Sequence, residues 1–259
     1  MARFSDRTAV ITGGTTGLGL ATAKLLAVQG ATVFVSGRTA SRGEAAVASI
    51  RETGAEAYFV QGSVADDAHV AELAAVAGNH RGAIDIWFAN AGVEGHVGDI
   101  ADWEDAMLTE VLMTNVKGVL SGLKHASPLM PEGSLMVLNA SFVGPVVALP
   151  NSIPYAASKS AVVTAGRGAA GALQPLGIKV ATICPYIFHT PMVDRIAGDL
   201  GAAQLAAVAT PSGQLGRPEE IAGVVADLWS GALAFESGDA LLIDAGPTLA
   251  TLAEPGPRP

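Results

Sequence analysis

Tyr155 and Lys159 stand four residues apart in the stretch IPYAASKSAV, residues 153–162, which reads as helix. Side chains four apart lie on one helix face, one above the other, so a phenol and an ammonium meet there. Such a pair suits acid/base chemistry. A tyrosine with a pKa near ~10 shuttles protons poorly at neutral pH, and a cationic neighbour favours the phenolate. Tyr155 is therefore the candidate general acid/base, with Lys159 expected to lower its pKa; a solvated surface pair of the same types would do no chemistry. Ser141 follows an apolar run, where its hydroxyl can donate to a carbonyl oxygen and stabilise charge developing on it. Asn115 sits in a helical stretch where asparagine is a mediocre former. Its plain reading is a buried helix-interior amide with local hydrogen bonds.

The elements that must position these residues are seven short β-branched or apolar runs: Thr8 to Thr12, Thr32 to Ser36, Ala57 to Val60, Ile84 to Ala89, Ser134 to Asn139, Lys179 to Cys184 and Ala240 to Ile243. Longer stretches rich in Ala, Leu and charge separate them. Strands alternating with helices read as βαβ units, which predict an α/β fold with a doubly wound parallel seven-stranded sheet, helices on both faces and ligands at the carboxyl ends of the strands. No repeat or long linker divides the chain, so residues 1–259 read as one domain. Between Tyr186 and Ser212, Pro191, Gly198, Gly201 and Pro211 interrupt short apolar pieces, which predicts a flexible flap over the site. The tail at 254–259, EPGPRP, is expected to fray.

The first strand runs into GGTTGLG and then a helical stretch. Glycines let backbone approach phosphate closely, and the helix start offers unpaired N–H groups and a favourable dipole. The turn from Gly13 through Thr15, Thr16, Gly17 and Leu18 to Gly19 is thus a candidate pyrophosphate cradle, with glycines spaced more widely than in GxGxxG. After the second strand, in SGRT, Arg38 can grip a phosphate bidentately, with Ser36 and Thr39 adding hydroxyls. This favours NADP(H), and NAD(H) is the alternative.

TGGTTGLG at 12–19, NAG at 90–92, Asn115 in TNVKG, Ser141, YAASK at 155–159 and GRPEEIA at 216–222 together resemble the short-chain dehydrogenase/reductase family over almost the whole chain. The resemblance implies a single Rossmann-type domain, a nicotinamide cofactor and hydride transfer between an alcohol and a carbonyl. It implies that Lys159 also bonds the nicotinamide ribose, that Asn115 holds a water of a proton relay, and that Asn90, Ala91 and Gly92 pack beside the adenosine ribose. It brings in Pro185, Phe188 and Thr190, after the sixth strand, as contacts of the carboxamide and phosphate. The family often assembles as a tetramer through the helix that starts near Tyr155, whose small residues include Ala157, Ala161, Ala165, Gly168 and Gly171, and a homotetramer is expected here.

Three departures stand out. Gly37 occupies a position where NAD-selective members usually carry Asp, and Ser63-Val64 replaces an Asp-Val or Asp-Leu pair, so the adenine pocket lacks a carboxylate. Tyr186 takes a glycine position, and its side chain is expected to project into the substrate pocket. That pocket is expected to include Val93, Glu94, His96, Phe142, Val147, Leu149 and Met192, mostly apolar, which suits a hydrophobic ketone or alcohol.

Composition narrows the function further. Half the 259 residues are apolar and 15% are charged, enough for a sizeable core. A net charge of −9 works against nucleic-acid binding. No apolar run is long enough for a membrane span and the start MARFSDR lacks a signal-peptide core, so a cytoplasmic location is expected. The lone Cys184 and the scattered histidines predict no metal site. A serine hydrolase is disfavoured because no GxSxG elbow occurs. A non-catalytic dinucleotide sensor is the competing reading.

Overall fold

The protein is described by a computed structural model covering residues 2–245 and 249–252; the tail at 254–259 lies outside the described residues. Strands β1 (Thr8–Thr12), β2 (Thr32–Gly37), β3 (Ala57–Gln61), β4 (Ile86–Ala89), β5 (Leu135–Asn139), β6 (Lys179–Pro185), β7 (Ala240–Ile243) and β8 (Leu249–Thr251) form one sheet in the order β3-β2-β1-β4-β5-β6-β7-β8. The first seven are parallel. The eighth corrects the expected count of seven: it pairs antiparallel with β7, Ile243 opposite Leu249 and Leu241 opposite Thr251. With three residues it is too short to show a periodicity in sequence.

The buried strands explain the doubly wound form. Alternate side chains point to opposite faces, and here both faces are apolar. Ile11, Val35, Phe88 and Val137 pack with helices α1 (Gly17–Val28), α2 (Ala40–Arg51) and α9 (Pro218–Ser230). Val10, Phe34, Trp87 and Leu138 face the opposite layer, α3 (Asp67–Arg81), α5 (Gly118–Ala126) and α6 (Ile153–Leu173). Close approach fixes Gly122 of α5, where an added Cβ would lie 2.6 Å from Trp87 Nε1.

Strand order reverses between β1 and β4, opening a crevice at their carboxyl ends. Helix α4 (Asp105–Leu112) continues through a π-helical turn, Met113–Lys117, into α5.

The segment from Tyr186 to Ser212 is largely helical: α7 (Pro191–Ala197), a 3₁₀ turn (Gly198–Leu200) and α8 (Ala202–Ala209). The interrupting residues delimit these helices. Thr190 caps α7 by accepting from Val193 N at 3.3 Å. Pro191 occupies its first turn, where a missing N–H is harmless. Gly198 and Gly201 take positive φ, 48° and 81°, between the helices, a conformation glycine adopts without a Cβ penalty.

Candidate active site

The turn after β1 is built for close approach. Gly13 and Gly17 have φ of 63° and 52°, and a Cβ on Gly13 would lie 2.9 Å from Ala91 Cα, so only glycine serves there. A Cβ on Gly19 would run into Gly13 O and Asn90 Nδ2. Thr12, at the end of β1, accepts from Asn90 N at 3.0 Å and Ala91 N at 3.1 Å. Asn90 Nδ2 donates to Thr12 O at 2.9 Å, and Asn139 Nδ2 donates to Asn90 Oδ1 at 3.0 Å. The ends of β1, β4 and β5 are thereby tied across the crevice.

One cavity runs along these strand ends, and every cofactor residue expected from sequence lines it except Gly19, which is buried behind the turn. At one end it meets Ser36, Arg38, Thr39 and Ser63; at the other, Ser141, Tyr155, Lys159 and Tyr186. Ser141, two residues past the end of β5, and the Tyr155–Lys159 face of α6 thus line the same end of one cavity.

Lys159, 3% exposed, donates to Asn139 O at 2.7 Å, with its Nζ 5.6 Å from the Tyr155 ring centroid. Burial lowers its pKa to about 8, because a desolvated ammonium is disfavoured. Burial raises Tyr155 to about 12; the Ser141 hydrogen bond works downward and the Glu94 charge upward. Desolvation of the phenolate is the largest of these influences. Tyr155 is a firmly protonated phenol, the state required of a proton donor.

Asn115 is fully buried and lies behind the cavity wall, in the π-helical turn. Its Oδ1 accepts from Val93 N at 2.8 Å, while its Nδ2 donates to Val93 O at 2.9 Å and Ser158 Oγ at 3.0 Å. These bonds join the loop after β4 to α6, and none of them is local. An added Cβ on Gly92 would sit 3.3 Å from Asn115 Oδ1 and 3.4 Å from Lys159 Nζ, so both groups converge on that glycine.

At the far end, Arg38 Nη1 meets Glu110 Oε1 of α4 at 3.0 Å, with both side chains exposed. Gly37 has no room for a side chain without displacing Thr15, whose Cγ2 would lie 2.8 Å from the new Cβ. Ser63 Oγ accepts from Ala65 N at 3.3 Å.

Of the expected substrate residues, Val93, Tyr186 and Met192 line the cavity. Tyr186 avoids left-handed backbone and stacks on Phe142, ring centroids 4.5 Å apart, so it reaches the pocket without strain. The other five, Glu94, His96, Phe142, Val147 and Leu149, are not among the residues lining this cavity. Phe142 is buried beneath Tyr186, and Glu94 is held by Arg195, Nε to Oε1 at 2.7 Å and Nη2 to Oε2 at 3.2 Å. His96 abuts Gly98, and Val147 and Leu149 are exposed outside the cavity lining.

Sequence reasoning missed Arg42, Asn139 and Arg195, all cavity residues. Arg42 follows Arg38 by four positions at the start of α2, and Asn139 is the polar terminus of an otherwise apolar strand; both were readable signals. Arg195 carried none.

The lining fits a nicotinamide dinucleotide. The positive-φ glycines form a phosphate cradle, two guanidinium groups stand at one end, and the Ser36 hydroxyl and Asn139 Oδ1 are buried without partners among the described residues. Such orphaned atoms call for a polar ligand.

Comparison with known proteins agrees. A family profile described as Enoyl-(Acyl carrier protein) reductase matches residues 13–248. The chain is 35% identical over 246 residues to cis-4-hydroxycyclohexanecarboxylate dehydrogenase of Sinomonas cyclohexanicum, covering 95% of this chain and 98% of the relative. It is 35% identical over 257 residues to levodione reductase of Leifsonia aquatica, covering 96% of each. A crystal structure of levodione reductase superposes with a TM-score of 0.86 at 33% identity, covering 94% of this chain and 98% of that one. A short chain dehydrogenase from Burkholderia cenocepacia J2315 in complex with NADP gives 0.85 at 30% identity, with the same coverage.

Proposed function

The chain belongs to the short-chain dehydrogenase/reductase family of NAD(P)-dependent oxidoreductases acting on alcohols and ketones, and from that premise we propose that it reduces a hydrophobic ketone, of the cyclic kind, with NADP(H). The convergence of Ser141, Tyr155 and Lys159 on the cavity that begins at the glycine turn carries this reading. Relatives named for hydroxycyclohexanecarboxylate and cyclopentanol support the ring-shaped substrate, as do Val93, Tyr186 and Met192 in the cavity lining.

A bound nicotinamide would supply hydride to the carbonyl carbon. The chain would supply the rest. The backbone of Gly13 to Gly19 and the start of α1 would hold the pyrophosphate. Arg38 and Arg42 would hold the 2′-phosphate, Arg38 leaving its Glu110 partner for it. Ser141 donates to the carbonyl oxygen and polarises it. Tyr155 passes its phenolic proton to that oxygen as the alcohol forms. Lys159, still largely protonated at neutral pH, favours the resulting phenolate. Asn115 keeps Gly92 and Val93 fixed beside the lysine rather than offering an idle amide. The Arg38–Glu110 pair is the one observation that favours NAD(H) instead, because it occupies the guanidinium.

Nicotinamide absorbance, with NADPH and NADH offered separately against cyclic ketones, tests the reading. NADPH is expected to turn over faster, and Tyr155→Phe to lose at least ~100-fold in rate while binding NADPH within a few-fold of the parent. Turnover kept by Tyr155→Phe removes the proton donor; faster turnover with NADH reverses the cofactor assignment.

A further inference from the structure

Arg38 lines the cofactor end of the cavity, yet its guanidinium is already engaged, with Nη1 on Glu110 Oε1 at 3.0 Å. We propose that Glu110 is a specificity-determining residue: an internal anion that competes with the 2′-phosphate for Arg38 and so narrows the preference for NADP(H) over NAD(H). This inference rests on the reading of Arg38 as a phosphate-binding residue.

The two partners come from different parts of the fold, and the backbone of each is held. Arg38 follows β2, where its C=O accepts from Gln61 Nε2 at 3.2 Å. Glu110 belongs to α4, 72 positions further along the chain. Val111 beside it is fully buried, and Thr114, four residues on, lines the cavity. Residues four apart share a helix face, which puts Glu110 on the cavity side of α4. Asn115 then locks the same helical run to Val93 and Ser158. Only the side chains are free to turn, so the carboxylate stays near the guanidinium whichever anion that guanidinium holds.

Charge makes this proximity selective. NADP(H) differs from NAD(H) by a phosphate in place of a ribose hydroxyl. A phosphate arriving at Arg38 must displace Glu110 or share the guanidinium with it, and like charges oppose both arrangements. NAD(H) brings no such group and meets no such opposition, so the discrimination comes from a repulsive element acting on one ligand alone. Arg42, four residues beyond Arg38 and in the same lining, offers the phosphate a second cation, which keeps NADP(H) favoured despite Glu110. The Arg38 and Glu110 side chains are 65% and 50% exposed, and ion pairs in such surroundings are weak. A plain tie between α4 and the end of β2 is the competing explanation, and it affects both cofactors alike.

The experiment is calorimetric titration of the full-length protein with NADPH and, separately, with NADH at low salt. Glu110→Gln, nearly the same shape without the charge, is expected to tighten NADPH binding about three- to fivefold and to leave NADH binding unchanged. The gain should vanish near about 1 M salt, where the screening length is ~3 Å. It should also shrink in an Arg38→Gln background, which has no guanidinium to compete for. Unchanged NADPH affinity in Glu110→Gln overturns the proposal, as does a gain that persists at high salt or is equally large in the Arg38→Gln background. Weaker binding of both cofactors together with a lowered melting temperature overturns it too, since that is the behaviour of a structural tie. Arg38→Gln alone tests the reading beneath, and should weaken NADPH while sparing NADH. If it alters neither, the 2′-phosphate assignment fails and takes this inference with it; if it behaves as expected while Glu110→Gln changes nothing, only the inference falls.

Discussion

Lys159 carries a positive charge into a place that shields it from water, with its ammonium on the Asn139 carbonyl. Burial disfavours the charged form, so the pKa falls from 10.5 to about 8. The unfolded chain therefore binds more protons than the folded one between those values. By linkage this charge weakens the fold fully below pH 8, and the loss is recovered as pH rises toward 10.5. Replacement by methionine, which fills similar space without charge, should raise stability at pH 7 by on the order of 1–2 kcal/mol while abolishing turnover. Urea denaturation of parent and Lys159→Met at pH 7 and 9.5 measures this. The gap should shrink at the higher pH; a constant gap, or a less stable variant at pH 7, contradicts the account.

At the level of elements, cofactor choice depends on how the end of β2 packs under the glycine turn. Gly37 is confined by Thr15, so an acidic side chain there must first displace a neighbour. Arg38 projects freely, 65% exposed, and exchanges partners easily because exposed ion pairs are weak. Arg38→Asp should therefore lower the ratio of kcat/KM for NADPH over NADH by at least ~10-fold, reversing a favourable phosphate contact into a repulsive one. An unchanged ratio would move the 2′-phosphate to other residues. Elements were also what the sequence revealed best. The buried strands and the helix bearing Tyr155 announce themselves through continuous apolar runs and the i, i+4 pair, and the strand ends then locate the site. Arg195 and Glu94 could not be read this way, since their partnership joins a loop to a short helix with no periodic signal. The raised Tyr155 pKa was equally hidden: spacing reports that a cation is near, but burial, which dominates here, comes only from the assembled fold.

For the molecule as a whole, the outer face of α6 raises the question of assembly. Its inner face is committed to the core through Val162, Val163, Gly166 and Ala170. Gly166 is held there by Thr182, close to where its Cβ would be, but Gly168 and Gly171 face open space with no atom within 4 Å of an added Cβ. Glycine inside an exposed helix costs about 1 kcal/mol relative to alanine, and nothing within the described chain repays that at these two positions. Backbone contact with a second copy would, because small residues allow two helices to approach closely. Leu112 at the end of α4 and Leu120 on α5, 51% and 48% exposed, add apolar surface near the same helix layer. Light scattering coupled to size exclusion should give a multiple of the 26.0 kDa chain for the parent. Gly168→Arg should reduce that mass while leaving the chain folded, since the monomer has room for the side chain and the helix gains a better former. Retained mass with normal circular dichroism would show that assembly uses another face, and a parent already at 26.0 kDa would leave the two glycines as an unrelieved local weakness in α6.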